Sequence, residues 1–166
     1  MATVPQHTQQ QETAKQIIER FQQDAPVDVM GIAEALGLNV WEDDINPYSG
    51  KLTRDAVNGG FSGYSVIVNA MEPTNRKRFT IAHEIAHFIL HSDELLNGDI
   101  QETLYRGGLS DKKEAEANKL AADMLMPLSL IETLIAQGKT SIEELAEALE
   151  VSKTAIGIRL GVSYAD

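Results

Sequence analysis

The sequence predicts an α+β fold, with a short antiparallel sheet packed on helices and a C-terminal helical segment of helix-turn-helix (HTH-like) cadence. Three observations predict it. Apolar residues recur at helical spacing near the N-terminus and through the second half of the chain. One β-branched run, SVIVNA at Ser65–Ala70, follows a stretch punctuated by glycines and reads as a strand. Finally, TIAHEIAHFILH, Thr80 to His91, is apolar on nearly every side yet carries three of the four histidines; a helix of that kind belongs inside a protein.

The elements follow in order. MATVPQHTQQQET is polar, has no apolar signal-peptide stretch, and reads as a disordered tail over residues 1–12. From Thr13 to Asp24, apolar residues at Ala14, Ile17, Ile18 and Phe21 predict a helix that Pro26 breaks. Asp28 caps a second helix, VMGIAEALG, which Gly37 ends. A strand is expected at Leu38–Glu42, before the glycines and Asn58 of residues 50–63. Pro73 and Thr74 open a long helix running to about His91. Residues 92–110 are acidic and glycine-bearing, and read as a surface loop, in functional terms a wall of a substrate cleft. Ser110 N-caps the next helix, Pro127 separates it from LSLIETLIAQG, and SIEELAEALEVSKTAIGIRLG gives two short helices around Val151-Ser152. The division expected is a 13–128 domain and a 129–166 helical extension.

Composition narrows the function. At 166 residues the chain can bury one core. Without cysteine it has neither disulfides nor thiolate ligands, which fits a cytoplasmic location and leaves histidine and carboxylate to hold any transition metal. A net charge of −11 argues against a general nucleic-acid surface and favours a basic partner. No stretch is long and apolar enough to span a membrane.

Within the long helix, His83 and His87 lie four residues apart and project from one face, so two imidazoles can share one ion. Glu84 sits on the flank of that face, placed to act on water without being a ligand. His91 is two turns beyond His83, too far to join both on one ion, and reads as a C-terminal helix residue or a group supporting the ligands. The HExxHxxGxxH alternative fails, because Leu90 stands at the glycine's place and Glu94 at the histidine's. An open catalytic zinc site takes three protein ligands. The helix after Ser110 offers Asp111, Glu114, Glu116 and Asp123 for the third, and chemistry alone does not separate Glu114 from Glu116.

Together, RFTIAHEIAHFILH (Arg78 to His91) and EAEANKLAADMLMP (Glu114 to Pro127) resemble the ImmA/IrrE family of metallo-endopeptidases. That family pairs R-F-T-x-A-H-E-x-x-H-x-x-L-H with E-x-E-A-(N/D)-x-F-A-x-x-L-L-M-P. The second motif departs here at Leu120, where phenylalanine is usual, and at Met124, where leucine is usual. The resemblance covers about residues 13–128. It implies a zincin-like core, Glu116 as third metal ligand beside His83 and His87, and zinc as the ion, with manganese also admitted by a His₂Glu set. It further implies peptide hydrolysis with Glu84 as general base, directed at an Xre-type helix-turn-helix repressor or an antitoxin. Tyr105, Arg106 and Tyr64 are candidates for stabilising the oxyanion, and the strand at Ser65–Val68 for pairing with an extended substrate.

The competing reading makes the C-terminal helices a DNA-binding unit, with Lys153, Thr154 and Arg159 on the recognition helix. Glu143, Glu144, Glu147 and Glu150 precede it and would repel phosphates, so direct DNA binding is not expected. A third reading is a metal-binding protein that sequesters a repressor without cutting it.

Overall fold

A computed structural model describes residues 11–93 and 110–162. The expected tail over residues 1–12 and the loop at 92–110 lie almost entirely outside the described residues, as do Tyr105 and Arg106. Helix α1 (Ala14–Arg20) starts at a capping box between Thr13 and Gln16 and buries Ile17 and Ile18. It stops short of Asp24, its last turn tightened by the Phe21 N–H bonding to the Ile18 carbonyl at 3.1 Å. Helix α2 (Val29–Ala35) is capped by Asp28, whose carboxylate accepts from the Gly31 N–H at 2.9 Å. Gly37 follows at a φ of 81°, a conformation glycine adopts without strain.

Strands β1 (Leu38–Asp43), β2 (Gly50–Arg54) and β3 (Tyr64–Asn69) form a sheet in the order β1-β3-β2. The fold class is as expected, but one pairing is not. β3 runs antiparallel to β2 and parallel to β1, so the sheet is mixed. The cause is hydrophobicity. Val66 and Val68 are fully buried, and the apolar β3 takes the central place between two strands that are antiparallel to each other. β1, with Trp41 and Glu42 exposed, stays at an edge. Being central, β3 has both ladders occupied and cannot pair with a substrate, as the sequence suggested it would.

Helix α3 (Thr74–His91) lies between this sheet and α4 (Asp111–Leu125), with Ala82 and Ala86 on one helix and Ala117 and Ala121 on the other fully buried. Small side chains at both surfaces allow close approach of the axes. Ser110 caps α4 as expected, its hydroxyl accepting from the Lys113 N–H. Helices α5 (Leu128–Ala136), α6 (Ile142–Leu149) and α7 (Lys153–Leu160) complete the described chain.

The hydrophobic core runs without interruption across residue 128. Leu130, Leu145, Leu149 and Ile156 belong to the same cluster as Leu52, Val66, Ile85 and Met124. Polar clamps reinforce that continuity. The Arg159 guanidinium pairs with Asp123 at 2.6 Å and donates to the Met126 carbonyl at 2.9 Å. From α3, Arg78 donates to the Val27 carbonyl at 2.8 Å and reaches the Glu150 carbonyl at the end of α6.

Candidate metal centre

The site is built from the facing surfaces of α3 and α4. On α3, His83 and His87 stand one above the other with their Nε2 atoms 3.0 Å apart. On α4, the Glu114 carboxylate meets both, Oε2 at 3.2 Å from His83 Nε2 and Oε1 at 3.2 Å from His87 Nε2. Glu116, the ligand that the family motif suggested, is not part of this group. It points instead at His91, with Oε2 3.1 Å from His91 Nε2. The reason is helical phase. Ala117, Ala121 and Met124 form the stripe of α4 buried against the core, and Glu114 continues it at i−3 from Ala117, whereas Glu116 lies about 100° round the helix.

Proton accounting shows what the cluster can hold. His83 Nδ1 donates to Asn118 Oδ1 at 2.8 Å, which leaves Nε2 a bare lone pair aimed at the centre. Burial pushes the His87 imidazole down to about 3, with His83 and His91 adding to the effect, so this ring is neutral near pH 7. Burial also lowers His83, against the pull of Glu114. Two neutral imidazoles and a carboxylate therefore converge with acceptor atoms facing one another, an arrangement that repels unless a cation sits between them. The spacing suits one. Tetrahedral zinc with bonds of about 2.0–2.1 Å separates its ligand atoms by about 3.3 Å, close to the 3.0 and 3.2 Å observed. The donor set of two nitrogens and one carboxylate fits a divalent ion of borderline hardness.

Glu84 completes the centre. It is buried, and its Oε2 has no hydrogen-bond partner. Burial pushes its carboxyl up to about 8, and the neighbouring Glu114 charge adds to this. Glu84 and His83 line a cleft of about 240 Å³ with Tyr48, Ser49, Gly50, Thr80 and Asn118. The edge strand β2 crosses α3 there at Gly50. Tyr64 does not reach the cleft wall. It is a core residue, edge-to-face with Phe88 at 5.3 Å between ring centroids.

A cluster that could hold a metal ion, on an HExxH helix beside a small sheet and with a carboxylate from the following helix, gives the chain a zincin-like core. The IrrE N-terminal-like domain family matches residues 33–161, and the chain belongs to that family. It is similar to the radiation response metalloprotease IrrE of Deinococcus deserti, 36% identical over 92 residues that make up 54% of this chain and 33% of that protein. The protein of the same name from Deinococcus radiodurans is 37% identical over 90 residues, 52% of this chain and 27% of its own length. The matched part thus spans about a third of these relatives. Among solved structures, a Mycobacterium tuberculosis transcriptional regulator superposes with a TM-score of 0.52 over 90% of this chain and 41% of its own, at 18% identity, and so shares the fold. No helix among the described residues is long and apolar enough to cross a membrane.

Proposed function

We propose that the chain is a metal-dependent endopeptidase in which His83, His87 and Glu114 hold one zinc ion and Glu84 is the general base. The observation that carries this reading is the convergence of two bare imidazole nitrogens and a carboxylate beside the buried, unpartnered oxygen of Glu84. When bound, the ion supplies Lewis acidity toward the scissile carbonyl and acidifies water to a pKa of about 7. Glu84 takes a proton from the attacking water and returns it to the leaving amine. His83 and Asn118 keep the lone-pair geometry on one side, and Glu114 compensates charge on the other. The cleft alongside edge strand β2 suits an extended peptide segment.

The substrate we propose is a cytoplasmic helix-turn-helix repressor of the Xre type, or an antitoxin. The net charge of −11 supports it, since it complements a basic DNA-binding domain. That Arg159 is bound to Asp123 and Met126 weighs against DNA as the ligand, because the main cation of the supposed recognition helix is already engaged. Zinc analysis and cleavage of such a repressor test the reading together. One zinc per chain and a discrete cut are expected, with Glu84→Gln keeping the metal and losing about 10²–10⁴-fold in rate. Hydrolysis retained in Glu84→Gln with zinc still bound would remove the general-base role. Repressor binding with no cut in wild type would leave sequestration as the function.

A further inference from the structure

The hydrogen bonds beyond the metal centre have a direction. His91 is 4% exposed and His87 is buried beside it, and their Nδ1 atoms lie 2.9 Å apart, which requires one proton between them. The other end of His91 fixes whose proton it is. Its Nε2 lies 3.1 Å from Glu116 Oε2, and a carboxylate only accepts, so Nε2 carries the hydrogen. With its hydrogen on Nε2, the His91 ring presents Nδ1 as the acceptor. The proton between the rings belongs to His87 Nδ1, and this leaves His87 Nε2 bare toward the centre.

We infer that Glu116 and His91 form a carboxylate–imidazole relay that fixes the tautomer and orientation of His87, making both of them positioning residues for the metal centre. The relay rests on the metal reading above. In that arrangement α4 serves the centre at two removes, with Glu114 touching it and Glu116 acting through two imidazole rings. On the other side of the centre, Asn118 does for His83 in one step what Glu116 and His91 do for His87 in two. A carboxylate at the end of such a chain also raises the basicity of the ligand nitrogen. Glu116 holds this position from the surface, its side chain 45% exposed, so its replacement leaves the core intact.

The test is zinc affinity, by chelator competition at fixed pH, for wild type, Glu116→Ala, Glu116→Gln and His91→Phe, with histidine ring nitrogens followed by NMR. Glu116→Ala and His91→Phe are expected to bind one zinc about 10–100-fold more weakly than wild type. Glu116→Gln, which keeps a neutral acceptor, is expected to fall between. In wild type the His91 ring should carry its proton on Nε2, with Nδ1 showing the shift of an acceptor nitrogen. A purely structural role would leave that signature unmoved in Glu116→Ala, whereas the relay requires it to change. Affinity within twofold of wild type in both variants, or a His91 proton found on Nδ1 with a bare Nε2, would overturn the relay and leave the metal centre standing. Failure of the wild-type protein to bind zinc would overturn both. Unfolding of the metal-free variants, compared with wild type, separates any loss of fold from loss of metal.

Discussion

Where β2 crosses α3, Gly50 determines how closely the sheet can approach that helix. A Cβ built at Gly50 would fall deep inside van der Waals contact of Thr80 Cγ2, with the Ile67 carbonyl oxygen at 3.3 Å and Glu84 Cγ at 3.6 Å behind it. Carbon atoms settle at about 3.5–4.0 Å, so the overlap with Thr80 exceeds about 1 Å. Thr80 cannot swing away, being β-branched, mid-helix and buried. Gly50→Ala must therefore push β2 off α3 and is expected to cost about 1–3 kcal/mol by overpacking. For a chain of this size that lowers Tm by roughly 3–10 °C. Thr80→Ser removes the opposing methyl and should relieve the strain. A double-mutant cycle on the metal-free protein, read by urea denaturation, is expected to give a coupling of about 1 kcal/mol or more in favour of the pair. Additivity within about 0.5 kcal/mol, or a Gly50→Ala variant as stable as wild type, would refute the close approach.

Three further outcomes follow from the same geometry. Glu84 has its carboxyl raised from 4.5 to about 8, and a cation beside it favours the carboxylate, so zinc uptake should release a proton. Zinc affinity is then expected to climb between about pH 6 and 8, and Glu84→Gln to flatten that climb; an unchanged slope in the variant would refute the linkage. In the metal-free protein the raised Glu84 contributes stability that is full below 4.5 and lost as pH rises through about 8. The lowered His87 does the reverse, its contribution full above 6.5 and lost as pH falls toward about 3, so urea midpoints of the apoprotein should decline on both sides of an intermediate optimum. Arg159→Ala strips partners from Asp123 and the Met126 carbonyl and is expected to cost about 1–3 kcal/mol, again by urea midpoint; wild-type stability would show that the clamp between α7 and α4 contributes nothing.

Much of the fold was legible because its signals are local. Ser110 and Asp28 announce helix starts by side chains that satisfy nearby N–H groups, and the structure uses both as caps. Strand order was not legible. Nothing within SVIVNA states whether its neighbours run with it or against it; that depends on β3 being more apolar than β1 and β2, a comparison across the sheet rather than along the chain. The role of α6 and α7 was hidden for a similar reason. Their periodicity does not name the groups they bond to, which lie on other elements: Arg159 of α7 pairs with Asp123 of α4, and Arg78 of α3 reaches the Glu150 carbonyl at the end of α6.

The metal centre shows where a motif and a periodicity can point to different residues. His83, Glu84 and His87 were readable because their chemistry sits within one turn of one helix. The third carboxylate required a phase relation between two helices; the match to E-x-E-A implied Glu116, whereas the glutamate that faces His83 and His87 is Glu114. The phase of α4 separates the two glutamates. Counting back from the small, buried Ala117 and Ala121 by three and by seven residues arrives at Glu114 both times, while Glu116 falls off that stripe. Turned about 160° from Glu114, Glu116 reaches His91 instead, one turn further along α3 than His87. Two glutamates at i and i+2 on one helix cannot touch the same ion from the same direction, but they can support it from two. Removing Glu114 takes away a group that faces both ligand imidazoles. Removing Glu116 leaves the three facing groups in place and frees a ring, so the two alanine variants should differ in kind: loss of zinc stoichiometry for Glu114→Ala, loss of affinity at full stoichiometry for Glu116→Ala.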